Sequence, residues 1–588
     1  MPELVLPGVS IEVRDEGLLI GLGVSVGNLG VVGTASRGPV GVPVLLGSYG
    51  EARETFGDYD PWINGKSGEL TLVRALEQAY RHGAGAVFAV RVTSTEAAAS
   101  GDNFIPTWNK NTKARQATFS VAGETAASTA ARLKAKTHGT WGDRIAVNVL
   151  AAEEGAFIPD EQHDGPASTV TLNRKVAASA RNRVRMSIGL TGQTKVFTIV
   201  AGSPSAGEVQ LDPATGTLTF AAGEDPKAGD RVFASYLVPT AESRQVILRY
   251  GGVTETYTVA DGQHLVDLVN GPGSLSSLVK GEGGSGISLD EVPKKHNSED
   301  DFREFGKGTD TPGSDGADAA PTDYDLGFGQ LLNEPAHIMI AAGMDAAGSD
   351  PNTDYGSELK AHCEAASGVA HQAERIGVIG SALGATFDDL RGHGLDSPRL
   401  IFVAPGIRST DAASGQEVVL PGAYAAAAIA GMLSAIDPEV SLTNKAPSVD
   451  GLETRFTRPQ LSQLVQSRVL VLEDSRDRGI RVVKGITTAT NTAWHQITTR
   501  RIVDYAIFGV RSAARPFIGR LNNERVRGAL RTSINSFLTD MVTDEMLISY
   551  ELEVTATRDQ EIRGIVQVTM VLRPVFSIDF IKVTIFLQ

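Results

Sequence analysis

The segment 573–588, "RPVFSIDFIKVTIFLQ", constrains the fold more than any other stretch of this chain. Phe576, Ile578 and Phe580 share one face of an extended strand. The apolar phase then switches to Ile581, Val583, Ile585 and Leu587, as through a bulge or with both faces covered. A strand of this composition left uncovered is a template for aggregation, so it is expected to join a sheet edge. A second strand, 4–13, makes the same demand. After Pro7-Gly8, Val9, Ile11 and Val13 fall on one face, and Ser10, Glu12 and Arg14 on the other. Behind it lies "EGLLIGLGVSVGNLGVVG", whose Gly17, Gly21 and Gly23 read as a hinge that lets the first strand reach away. Both strands can be satisfied within one molecule or by addition to a neighbour's sheet.

Length and charge narrow the rest. At 588 residues the chain is too long for one core, and about four units are expected at ~150 residues each. The net charge of −15 argues against wrapping nucleic acid or lying on an anionic membrane. No apolar run reaches the ~18 residues of a membrane-spanning helix. The alanine-rich stretch 423–436, stopped by Pro438, reads as a buried helix. The start of the sequence lacks a basic region followed by an apolar stretch, so synthesis and folding in a cytoplasm are expected. Cys363, the single cysteine, falls on a helical stripe with Leu359, Ala366 and Ala370 and reads as a core thiol.

Along the chain the pattern is mixed α/β and α+β in several domains. A strand arm with its linker covers 1–30. An α/β outer domain takes 31–155 together with 250–297. It contains a helix with the stripe Leu70, Val73, Leu76 and Tyr80, followed by the buried strand "AVFAVRV". Residues 156–249 change character, with short strands such as "RVRMSIGL", "KVFTIV" and "RVFASYLV" separated by turns. That spacing predicts an inserted β-sandwich or β-barrel. Residues 298–325, rich in Asp, Gly, Ser, Thr and Pro, read as a mobile linker or surface loop. A second α/β region follows at 326–450, then an inner C-terminal domain at 451–574 and a strand arm at 575–588.

No catalytic constellation emerges. "GVSVG" around Ser25 matches the nucleophile-elbow string, and "HGAG" from His82 loosely resembles an oxyanion loop. The elbow needs a helix after the serine, and strand and turn follow instead, so a serine hydrolase using Ser25 stands only as the alternative. "NGKS" at 64–67 resembles the end of a phosphate loop, but no strand precedes it. It reads as a turn in which Ser67 caps a helix over 68–81. The ten histidines show no metal-ligand spacing. No metal, cofactor or catalytic residue is assigned.

The strongest local anomaly is electrostatic. Between positions 500 and 531 lie eight arginines against Asp504 and Glu524, a local excess of positive charge in an acidic chain. A helix is predicted over roughly 522–542 with the core stripe Val526, Leu530, Ser533/Ile534, Phe537 and Met541. Counted at ~100° per residue from Val526, Arg527 and Arg531 fall to one side of that stripe, and Arg520 falls near them. Arginine without lysine favours a partner that presents carboxylates, and the solvated-face alternative stays open.

At this point the sequence resembles the tail sheath family of contractile phages and related extracellular-type injection systems. "LPGVSIEV", "GVVGTASRGPVGVPVLLGSYGEARETFG" and "AKTHGTWGDRIAVNV" are similar to the family's early segments, with Asp143 where Asn is commoner. "VSLTNKAPSVDGLE" and "RRIVDYAIFGVRSAARPFIGRLNNERVRGALRTSINSFLTDM" resemble its C-terminal domain, which is built from discontinuous segments. The resemblance covers about 1–155 and 250–588, and leaves 156–249 as an outer decoration. It implies a structural subunit, not an enzyme, that stacks as hexameric rings around an inner tube and contracts to drive the tube through an envelope. Its partners would be further copies of itself, the tube protein, and baseplate and terminal cap proteins, with no nucleic acid and no membrane insertion. Strand exchange would use Val9, Ile11, Val13, Phe576, Ile578, Phe580, Val583 and Ile585. A tube-facing basic surface would use Arg515, Arg520, Arg527 and Arg531. After cytoplasmic synthesis the subunit would become part of a tail or particle.

Overall fold

The computed structural model describes residues 27–95, 112–125, 128–189, 193–272, 276–346, 354–579 and 581–585. The arm strand with Val9, Ile11 and Val13, the hinge glycines Gly17, Gly21 and Gly23, Ser25 and Phe580 lie outside the described residues.

Eight strands form the central sheet, in the order Pro43–Leu46, Val87–Arg91, Leu29–Gly33, Ile338–Asp345, Ile376–Gly380, Leu400–Ala404, Leu470–Ser475 and Gly479–Val482. The six inner strands run parallel, and the two edge strands are antiparallel. Leu29–Gly33, Val87–Arg91, Ile376–Gly380 and Leu400–Ala404 are buried at every position. Helices on both faces of a parallel sheet explain why these strands read as unbroken apolar runs. Leu72–Arg81 and Gly422–Ser434 cover one face, and Pro321–Gln330, Tyr355–Ala366 and Arg458–Gln466 the other. Leu29 pairs with Ile338 and Val31 with Ile340. The segments assigned by sequence to separate outer and sheath α/β domains therefore share one sheet, because pairing between strands ~300 residues apart leaves no local signature.

Residues 112–151 and 244–316 build a second body from a three-stranded and a four-stranded sheet around Phe119, Trp141, Leu248 and Phe305. The "GTWGD" phrase is its joint with the central body. Gly139 has φ +132°, and a Cβ there would meet the Ser36 carbonyl oxygen at 1.8 Å. Trp141 is buried beneath the Arg37 guanidinium, 4.5 Å from the ring centroid. The predicted linker 298–325 is instead an ordered strap across this body. Phe305 is fully buried, the Gly313 amide donates to Asp143 Oδ1 at 2.7 Å, and Asp315 accepts from the Thr140 amide and hydroxyl at 2.7 and 2.9 Å. The helix Pro321–Gln330 begins inside the same stretch. Composition suggested mobility because the strap before the helix is secured mainly by carboxylates and backbone, with Phe305 as a large apolar anchor.

The inserted unit is a curled seven-stranded sheet spanning residues 157–237, with strand order Phe157–Asp164, Arg231–Leu237, Arg183–Ile188, Gln193–Val200, Glu208–Asp212, Thr217–Phe220 and Thr169–Thr171. Its core is its own, with Val184, Phe197, Leu218 and Tyr236 inside. Arg244–Tyr250, counted by sequence with the insertion, pairs with Ala146–Ala151 and Val253–Val259 in the neighbouring body.

Helices Ile497–Ala514 and Glu524–Thr543 and the antiparallel hairpin Leu547–Thr555/Gln567–Pro574 form the C-terminal unit. Asn523 caps the second helix by accepting from the Val526 amide at 2.9 Å. Its buried stripe is Leu530, Ile534, Leu538 and Met541, rotated from the predicted one. Phe537 is half-buried and instead stacks on Tyr505 of the first helix, 5.7 Å between centroids.

Candidate assembly surface

The hairpin is a sheet of only two strands, so each strand offers an outer edge with no partner among the described residues. One face, with Tyr550, Leu552, Val568, Met570 and Leu572, packs against the C-terminal helix core. The other carries Ile548 at 66% exposure and Val571 at 48%. Beyond Pro574 the chain runs extended and forms no strand ladder at 575–579 or 581–585.

Within that extended stretch the side-chain alternation is inverted. Phe576 and Ile578 are 59% and 80% exposed, while Ser577 and Asp579 turn toward the protein. Asp579 sits in a polar nest. Lys484 Nζ lies 3.2 Å from its Oδ2, the Gln496 amide donates to Oδ2 at 3.2 Å, and the hydroxyls of Ser577 and Thr443 lie 3.4 and 3.5 Å from Oδ1. Further out, Ile581, Val583 and Ile585 are 82%, 73% and 78% exposed. Of the apolar arm positions singled out by sequence, the described ones, Phe576, Ile578, Ile581, Val583 and Ile585, are exposed. Asp579 was missed, although a lone acid inside an apolar strand is the kind of signal that marks an anchored position.

The arginine block separates into two populations. Arg500 and Arg501 are buried. The first donates to Asp504 at 2.5 Å, and the second caps the carbonyls of Ile436 and Asp437. Asp504 also takes a two-pronged bond from Arg399, at 3.0 and 3.1 Å. Arg511 is spent on Glu374. Arg527 is drawn inward to Glu561 at 2.9 Å and Asn522 at 3.0 Å, which removes it from the free basic surface expected of it. Arg515, Arg520, Arg525 and Arg531 are exposed and make no ion pair among the described residues. Arg525, which the helical count left out, belongs with the free set. The loop between the helices adds Ile518 and Leu521, 82% and 77% exposed, between these cations.

Candidate catalytic groups are tied into structure. His82 Nδ1–H donates to the Gln78 carbonyl at 2.7 Å and Nε2 accepts from the Ser448 amide at 2.9 Å, so the ring is a buried crosslink. Ser67 does not cap a helix. Its hydroxyl donates to Asp318 at 2.9 Å, and the helix begins at Leu72 after Thr71. Cys363 is fully buried, and burial pushes its thiol up to about 12. Among the described residues no group of three or more His, Cys, Asp or Glu side chains is placed to hold a metal, and no helix is long and apolar enough to cross a membrane.

Comparison with known proteins agrees with this layout. Residues 489–588, which contain both helices, the hairpin and the extended arm, match the phage tail sheath C-terminal domain. A 168-residue stretch is 30% identical to the tail sheath protein of Bacillus phage SP01, covering 27% of this chain and 29% of that relative. The sheath tail protein of Desulfitobacterium hafniense superposes with a TM-score of 0.57 over 97% of both chains, at 13% identity. That of Listeria innocua gives 0.55 over 94% of this chain and 93% of its own, also at 13%. Residues 489–588 therefore carry a phage tail sheath C-terminal domain, and the chain has the sheath tail protein fold over nearly its whole length.

Proposed function

We propose that this chain is the subunit of a contractile sheath: it polymerises around an inner tube, as stacked six-membered rings, and contracts to drive that tube through a target envelope. The observation that carries the reading is the pairing, on one molecule, of an arm whose described apolar side chains are exposed and a two-stranded sheet whose two outer edges have no partner among the described residues. Strand addition from one copy to the next supplies backbone hydrogen bonds that link copies within and between rings. Arms at Val9, Ile11 and Val13 and at Phe576, Ile578, Phe580, Val583 and Ile585 act as the stitches, with Gly17, Gly21 and Gly23 as slack. Contraction is then rigid-body movement of subunits from a metastable extended state, with its work drawn from new contacts between copies. The acidic face of a tube meets the exposed arginines, and baseplate and cap proteins bound the polymer. The role is structural and needs no cofactor.

Negative-stain imaging of the expressed full-length chain tests this directly. Tubes or stacked rings are expected. A chain that stays monomeric at high concentration, with and without a tube protein, overturns the reading.

A further inference from the structure

We infer that Asp579 is the fixed foot of the C-terminal arm, a positioning residue that presents the arm's apolar face to the sheet edge of a second copy of this chain. The inference rests on the sheath reading above and deepens it. An extended segment packed on its own protein normally turns apolar residues inward and polar residues outward. Residues 576–579 do the reverse: Ser577 and Asp579 face the body, and Phe576 and Ile578 face solvent. The side chain of Asp579 is only 11% exposed, and that of Lys484 is 19% exposed. Burying a carboxylate is favourable only when it is paired and hydrogen-bonded, and Lys484 and Gln496 do both here.

The foot stands on rigid ground. Gln496 precedes the first residue of the helix Ile497–Ala514, and Lys484 follows the edge strand Gly479–Val482 of the central sheet. Thr443 is itself fixed by accepting from the Gly485 amide at 3.1 Å. The residues that hold Asp579, namely Thr443, Lys484 and Gln496, all lie outside the hairpin Leu547–Pro574. Its apolar face is thus displayed at a fixed place and direction before any partner arrives. Such pre-organisation removes ordering cost from association. A second copy is the occupant because the chain carries, in its own hairpin, the unpaired edge and partly apolar face that such a strand requires.

The test uses the full-length chain with Asp579→Ala, Asp579→Glu and Lys484→Met, and a truncation lacking 576–588 as control. Assemblies are quantified by sedimentation and electron microscopy, and hydrogen exchange is followed at 575–579 in the monomeric fraction. Asp579→Ala is expected to lower assembly at a given concentration about tenfold and to weaken exchange protection of the Val575 amide, with melting of the monomer unchanged. Lys484→Met should do the same in part, and Asp579→Glu should restore assembly. If the truncation fails to assemble but Asp579→Ala assembles like the parent, the foot is refuted and strand exchange stands. If the truncation itself assembles normally, strand exchange fails, and the foot with it.

Discussion

Arg511 closes both prongs of its guanidinium on Glu374, at 2.8 and 2.9 Å, across 137 residues of sequence, and holds the Gln372 carbonyl with the same Nη1 at 2.7 Å. Glu374 is 4% exposed, so this pair fastens the helix Ile497–Ala514 to the entry of the central strand Ile376–Gly380. An arginine counted in the basic block is a structural rivet.

Arg511→Ala leaves the Glu374 carboxylate buried and unpaired. A loss of about 2–3 kcal/mol is expected, on the scale of a buried charge deprived of its partner. Urea unfolding measures it. The double variant Arg511→Met with Glu374→Leu should recover most of the loss, because the uncompensated charge is gone.

The two arginine populations predict opposite phenotypes. Charge reversal at Arg515, Arg520 and Arg531 should leave the monomer's melting unchanged while weakening co-sedimentation with an acidic tube protein. Arg527→Glu should instead destabilise the C-terminal unit, since it sets like charges face to face with Glu561. Unchanged co-assembly after the triple reversal removes the tube-facing assignment.

Gly509 on the first C-terminal helix leaves the space that the Phe537 ring of the second helix occupies. A Cβ there would meet Phe537 ring atoms at 1.8 to 2.3 Å. In an isolated helix Gly→Ala gains about 1 kcal/mol. Here Gly509→Ala is expected to lose about 1–2 kcal/mol, because the Phe537 ring must leave its place against Tyr505. Thermal unfolding gives the sign, and a net gain in stability contradicts the packing described.

Acid should weaken the fold through buried histidines. His362 Nε2 accepts from the fully buried Arg375 at 2.9 Å, and burial, then the Arg375 charge, lowers its pKa to about 3. Its unfolded pKa is about 6.5, so between those values the unfolded chain holds the extra proton and stability falls as pH drops. His264 and His337, lowered to about 4 chiefly by burial, act in the same direction. Asp60 and Asp345, raised to about 6 by burial, act in the opposite one. His362→Gln keeps an acceptor for Arg375 and removes the titration. The stability lost between pH 7 and pH 5 should shrink by about 2 kcal/mol, read from denaturant midpoints at the two pH values.

Periodicity exposed much of this architecture. The unbroken apolar run at Val87–Arg91 reads as a buried strand, and the short strands of the insertion read as a β-sandwich or β-barrel. Cys363, on its helical stripe, is a core thiol. These signals are local, since side-chain burial along one element repeats with that element's own geometry. The strap at 298–320 misread as a linker for the same reason: its anchors, Asp143, Thr140 and Arg115, lie more than 150 residues away.

The sequence by itself determined that the arm at 576–585 is apolar and of high β-propensity, because pattern and propensity belong to the segment alone. Tertiary structure alone decided which way that arm faces and which arginines are free. Asp579 turns the polar side of the arm inward through Lys484 and Gln496, and Glu374 and Glu561 withdraw Arg511 and Arg527 from the surface. The physical reason is that a charge is used or free according to what the fold brings within ~4 Å of it, and that distance is set by the whole chain.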